Sequence, residues 1–229
     1  MKDVKIISFL LLITGLSLYS CSKENDESGN SSSNKEKGHE YVDLGLPSGT
    51  LWATCNVGAP IPEYPGDYFA WGETETKNVY NEETYKWCTG WDVFTKYCID
   101  SDDGGKVDNR MVLESADDAA HAKWGGKWHI PTIEQWKELM ACCECIETTQ
   151  NGTKGVAVIR NGKQIFLPVT GYKDGSSLSH SDYCNYWSSS MQEGSRNRVY
   201  YIYGDESLTI DYGRSIRYNG LPVRPVCSN

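Results

Sequence analysis

Residues Trp124–Leu139 read WGGKWHIPTIEQWKEL, and this stretch decides the fold. Pro131 keeps His129 and Ile130 extended, because the residue before a proline is pushed out of the α region. Thr132 then stands where an N-cap belongs, and Gln135 three positions on completes a Thr-x-x-Gln capping box. Ile133, Trp136, Leu139 or Met140, and Cys143 recur at helical spacing. A buried strand end therefore hands over to an amphipathic helix, and the chain downstream reads as short strands that such a helix can cover.

Upstream, Ser115 and Asp118 form a Ser-x-x-Asp signature that predicts a short helix through about Lys123, stopped by Gly125-Gly126. Tyr41–Leu44 and Leu51–Val57 read as strands around the Pro47-Ser48-Gly49 turn, and Tyr68–Gly72 as another. Glu73–Asn109 is polar and irregular, a long insertion pinned by its aromatics. Downstream, Val156–Arg160 and Lys163–Leu167 flank Asn161-Gly162, the strongest local hairpin signal. Tyr183–Ser190, Arg198–Tyr203 and Leu208–Tyr212 follow as strands. In Arg198–Tyr203, alternation sets Val199, Tyr201 and Tyr203 against Arg198, Tyr200 and Ile202, so one face should be core and the other wet. There is no internal repeat and no linker after residue 40. The expectation is one α+β domain over residues 40–229.

The start of the chain carries a different message. Lys2 and Lys5 precede the apolar run Ile6–Leu18, too short for a bilayer span of about 20 residues and fitting an export signal over residues 1–20. Leu18-Tyr19-Ser20-Cys21 resembles a bacterial lipobox, in which Cys21 is lipidated as the signal is cleaved; Tyr19 is bulkier than the residue usual at its place. The alternative is an ordinary secretory signal cut near Ser20. Residues 22–38, SKENDESGNSSSNKEKG, contain no large apolar side chain and read as a flexible tether within residues 21–39. The acidic run from Ser22 to Glu27 looks like the surface-export signal of Bacteroidetes lipoproteins. The implied location is the outer membrane, lipid-anchored and surface-exposed.

The net charge of −9 among 229 residues excludes phosphate-driven nucleic-acid binding, which needs clustered Lys and Arg. Eight Trp and fifteen Tyr stand against four Phe. Most Trp should be core, whereas Tyr in excess marks recognition surfaces. Nine cysteines leave eight after Cys21, an even number that permits disulfides in an exported protein, with on the order of a hundred possible pairings. Cys88–Cys98 is the best local candidate. Cys142 and Cys145 would share a helix face and offer a metal two sulfurs, but they lack a second pair, so packing is the default. Asp100, Asp102, Asp103 and Asp108 form an acidic loop without EF-hand spacing: a solvated loop is the default and calcium the alternative. No motif places His39, His121, His129 or His180 in a catalytic setting. His129 reads as a core residue and His180 as exposed. No catalytic residue, metal site or other cofactor is expected.

Six segments together carry a resemblance: YVDLGLPSGTLWATCNVGA (41–59), GDYFAWGE (66–73), DDAAHAKWGGKWHIPTIEQWKEL (117–139), IFLPVTGYKDG (165–175), YWSSS (186–190) and LPVRPV (221–226). The set resembles the Fibrobacter succinogenes major paralogous domain family of Bacteroidetes lipoproteins. That family is similar to the C-type lectin-like group, which includes formylglycine-generating enzymes and the variable proteins of diversity-generating retroelements. The resemblance implies two helices and a twisted antiparallel sheet with its first and last strands adjacent.

It also implies a ligand surface between the Trp-Ser-Ser stretch and the closing Arg-Pro-Val. Residues 172–219 are rich in Tyr, Ser, Asn, Arg and Asp, a paratope-like mixture. By the resemblance, Asn185, Arg196, Asn197, Tyr212, Arg214, Tyr218 and Asn219 face a glycan or protein ligand. The competing reading is a Tyr-rich sheet with a wet face. The Glu-Pro-Asn and Gln-Pro-Asp sugar motifs of calcium-dependent lectins are absent, and the cysteine pair of the formylglycine-generating branch has no local match. The function expected is a non-enzymatic binding module. The alternatives are a structural envelope lipoprotein and an oxidase-like enzyme.

Overall fold

Thr132 and Gln135 make the reciprocal cap their spacing requires: Thr132 Oγ1 accepts the Gln135 N–H at 3.3 Å, and Gln135 Oε1 accepts the Thr132 N–H at 2.9 Å. The computed structural model describes residues 34–91, 93–99, 106–204, 207 and 209–228. The chain divides into Met1–Ser32 and Ser33–Asn229, and every described residue belongs to the second unit. Cys21, the export signal, most of the tether and Asp100, Asp102 and Asp103 lie outside the described residues.

The strands in chain order are β1 (Lys35–Glu36), β2 (His39–Val42), β3 (Thr50–Ala53), β4 (Tyr68–Phe69), β5 (Glu144–Gln150), β6 (Thr153–Arg160), β7 (Lys163–Pro168), β8 (Tyr172–Asp174), β9 (Ser177–Ser179), β10 (Cys184–Met191), β11 (Arg198–Gly204), β12 (Ile210–Ile216), β13 (Leu221–Pro222) and β14 (Val226–Ser228). Two α-helices, α1 (Ala119–Trp124) and α2 (Ile133–Cys142), precede β5. The protein is α+β, and its paired strands run antiparallel in the orders β1-β2-β3-β14, β5-β6-β7, β10-β11-β12, β8-β9 and β13-β4. The opening strands and the closing strand share one sheet, with Trp52 opposite Val226.

Two apolar clusters lie on either side of β10 and β11. Ile133, Trp136 and Leu139 of α2 pack with Val158, Leu167, Tyr186 and Ile202 on one side. On the other side Ala119 and Ala120 of α1 pack with Trp71, Trp187, Val199 and Val223. Burying each large side chain contributes about 2–3 kcal/mol. β10 is therefore buried along its whole length, and its neighbour β11 buries Val199 on one face and Ile202 on the other. This corrects the one-wet-face expectation for Arg198–Tyr203. Five Trp residues, at 52, 71, 128, 136 and 187, are buried. The indoles of Trp71, Trp136 and Trp187 donate to the carbonyls of Ser188, Trp187 and Phe69.

Arg224 of the LPVRPV segment is also fully buried. Its guanidinium donates to Asn56 Oδ1 (2.8 Å) and to the carbonyls of Ala53 (3.1 Å), Thr54 (3.1 Å) and Phe166 (2.8 Å). One side chain thus holds the end of β3, the following turn and β7 together.

Several expectations need correction. Ser115 opens a 3₁₀ turn, and the cap of α1 is Asp118, whose Oδ1 accepts the His121 N–H at 3.0 Å. The aspartate wins because its second oxygen also accepts the buried Ile130 N–H at 2.8 Å. Helix α2 ends at Cys142, so Cys145 lies on β5 and the two sulfurs share no helix face. That strand pairs with β6 across Asn151-Gly152, a second Asn-Gly turn. Finally, Lys35–Glu36 and His39, taken as tether, are paired strand, so the polar leader ends before Lys35.

Candidate functional site

The insertion, the β8–β9 hairpin and the turn after β12 meet at one place. Lys173 of β8 exchanges two backbone hydrogen bonds with Gly220, at 2.7 and 2.9 Å. At the hairpin tip Gly175 exchanges two with Tyr80, at 2.8 and 2.9 Å. A Cβ on Gly220 would sit 2.7 Å from the Tyr80 ring, so only glycine lets these segments approach.

The described part of the insertion is held by local hydrogen bonds. Asn81 Oδ1 accepts the Thr84 N–H at 3.0 Å and caps a 3₁₀ turn over Glu82–Thr84. A tight hairpin follows: the Thr95 N–H donates to the Trp87 carbonyl (2.9 Å), and the Val93 N–H to Gly90 (2.8 Å). Tyr80, Tyr85, Phe94 and Cys98 form a small core beneath it. The Tyr80 phenol donates to the Tyr68 carbonyl and the Tyr85 phenol to that of Trp71. Arg217 is the clamp. It is fully buried, its guanidinium stacks 3.6 Å from the Phe94 ring centroid, and Nη1 donates to the Lys96 and Tyr97 carbonyls at 3.3 and 3.2 Å.

Two clefts adjoin at this junction. The larger, about 760 Å³, is lined by Asn81, Glu82, Glu83, Trp91 at the hairpin tip, Asp174 and Tyr218. The smaller, about 400 Å³, continues past Asp174 and Tyr218 to Tyr172, Tyr201, Arg214 and Asn219. Asp174 and Tyr218 border both, so an acidic cleft and an arginine-bearing cleft adjoin at these two side chains and are called the groove below. The ring of Tyr201 stacks on Tyr203, centroids 5.6 Å apart, over Gly213, where a Cβ would come within 2.8 Å of Tyr201. Burial, then the neighbouring Tyr203 and Tyr172 phenols, pushes the Tyr201 pKa up. Exposed His180 stacks 5.5 Å from Tyr172 and extends the aromatic surface. A separate cleft of about 520 Å³ lies beside His39 and Trp124, but those rings already stack on each other at 3.8 Å.

Of the residues expected to face a ligand, Arg214, Tyr218 and Asn219 come together in the smaller cleft. Asn185 does not: it is 2 % exposed, its N–H donates to Thr170 Oγ1 and its amide to the Tyr183 carbonyl, and it serves the β10 edge. Tyr212 is exposed on the α2 side, edge-on to Tyr200 with Lys137 Nζ 5.2 Å from its ring, away from the groove. Arg196 and Asn197 are half-buried in the β10–β11 turn and border neither cleft; the Asn197 carbonyl accepts the Arg217 N–H. Trp91, Glu82, Asn81 and Asp174 were not anticipated. The available signal was Thr89-Gly90-Trp91, an aromatic placed directly after a turn glycine.

No disulfide joins the eight described cysteines, which corrects the Cys88–Cys98 pairing: Cys98 is buried with Sγ donating to the Phe94 carbonyl, while Cys88 Sγ donates to the Gly90 carbonyl. Burial pushes Cys143 and Cys227 up to about 11 and Cys184 to about 12, and raises Cys88 and Cys145 too. These five thiols stay protonated at neutral pH, the opposite of an activated nucleophile. Asp108, the described member of the acidic loop, accepts the backbone N–H groups of Tyr97, Cys98 and Arg110. Among the described residues there is no group of three metal-ligating side chains. Comparison of the chain with family models, curated proteins and solved structures finds no match in any of the three.

Proposed function

We propose that this chain is a lipid-anchored, non-enzymatic binding module of the C-type lectin-like type, taking a glycan or protein ligand in the groove around Tyr218. One observation carries the proposal: two adjoining clefts share Asp174 and Tyr218, on loops stitched by paired backbone hydrogen bonds to a buried scaffold. Binding sites have this construction, concave and preformed, with few polar groups among aromatics. The lectin-like assignment is supported by the two helices, the antiparallel sheets and the shared sheet of opening and closing strands. The anchor at Cys21, the outer-membrane location and the major-paralogous-domain kinship rest on the sequence motifs.

A glycan array probed with the Ser33–Asn229 unit tests the function, since the described apolar clusters lie within that unit. Retention of a glycan that Tyr218→Ala releases supports the groove. Failure to retain any glycan or any envelope protein favours a structural role instead. Labelled palmitate incorporated by wild type but not by Cys21→Ala tests the anchor.

A further inference from the structure

Trp91 is 95 % exposed at the tip of a hairpin whose base is clamped by Arg217. About 200 Å² of indole is held in water without a packing partner. Scattered exposed apolar residues are ordinary, but this one borders the larger cleft, whose other lining side chains are mostly hydrogen-bonding. Glu82, Glu83 and Asp174 supply carboxylates, Asn81 an amide and Tyr218 a phenol. Among the described residues, no Lys or Arg borders that cleft.

We infer that Trp91 is the stacking platform of a saccharide subsite that ranks pyranoses by charge, amino sugars above neutral sugars and neutral sugars above uronates. It rests on the groove reading and names its ligand class. A pyranose has an apolar C–H face and a hydroxyl rim, which matches one open aromatic face in a cleft lined by acceptors. The three carboxylates favour a protonated amine and repel a sugar carboxylate, an effect that salt screens. Arg198 and Arg214 border only the far cleft, beyond Asp174.

The test titrates the full chain with three probes by calorimetry: a β-1,4-linked glucosamine pentamer, its fully N-acetylated counterpart and a galacturonate pentamer. The first pair differs only in charge and acetylation. The amine form should bind about tenfold tighter than the acetylated form at about 20 mM salt, with most of that gap lost at about 500 mM. Trp91→Ala should weaken both by about tenfold, whereas Trp91→Phe keeps most of the affinity. The melting temperature of Trp91→Ala should match wild type, because the side chain packs on nothing. Uronate binding equal to amine binding, unchanged affinity in Trp91→Ala, or no binding of any probe overturns the subsite. An array ligand lost in Tyr218→Ala but kept in Trp91→Ala leaves the groove standing and removes the subsite alone. Loss of all array binding removes both.

Discussion

Arg224 and Arg217 are both fully buried, both near the end of the chain, and they hold different things. Arg224 spends its donors on framework: the end of β3, the turn at Asn56 and the carbonyl of Phe166 on β7. Arg217 donates from Nη1 to two carbonyls of the insertion, with Phe94 against its face. The first ties regular elements together and the second ties a loop to them. Scaffold and groove are therefore separately secured, and each can be weakened without the other.

The most severe way to probe the difference is Arg224→Ala. It strips partners from two buried carbonyls, one half-buried carbonyl and one buried amide, each buried group a cost of about 1–3 kcal/mol, and should lower unfolding free energy by roughly 4 kcal/mol. Denaturant unfolding reads this directly. Arg217→Met should cost about 2 kcal/mol globally, while amide exchange at residues 80–98 accelerates far more than in β10 and β11. Equal acceleration in both regions would show one cooperative unit and break the contrast.

Alkali provides a third probe. The insertion hangs on phenols, and burial pushes Tyr68 up to about 12 and raises Tyr80 and Tyr85 as well. An unfolded tyrosine ionises near about 10. The stabilisation is therefore complete below about pH 10 and drains away as pH climbs toward about 12. Phenolate absorbance should rise in step with loosening of residues 68–98. Thr132→Ala removes only the α2 cap, about 1 kcal/mol, and should lower the melting temperature with groove affinity unchanged. Trp91→Ala is expected to shift stability by no more than about 0.5 kcal/mol.

What could be read beforehand was local. The Thr132–Gln135 box, the Gly125 stop and the Asn161-Gly162 turn each need only a few neighbouring residues, and each formed. Asn151-Gly152 carried the same turn signal but was overlooked, because β5 is a polar, largely exposed edge strand without the alternation that announces one. Burial of the two arginines was illegible, since their partners lie at sequence separations of 120 to 121 for Arg217 and 168 to 171 for most of those of Arg224. The groove was half legible for the same reason. The family resemblance pointed to Arg214, Tyr218 and Asn219, but Trp91 joins them through the Tyr80–Gly175 pairing and the Arg217 clamp, which no local pattern encodes.

The short strand β1 has one more consequence. It is joined to β2 in two registered pairs, Lys35 with Glu40 and Glu36 with His39, on a sheet separate from β8–β9 and β10–β12. Any pull on the chain ahead of Asn34 reaches this strand first. Tension should unzip it a residue at a time, like a fuse, and the groove would keep its shape under a load that has already been spent on this strand.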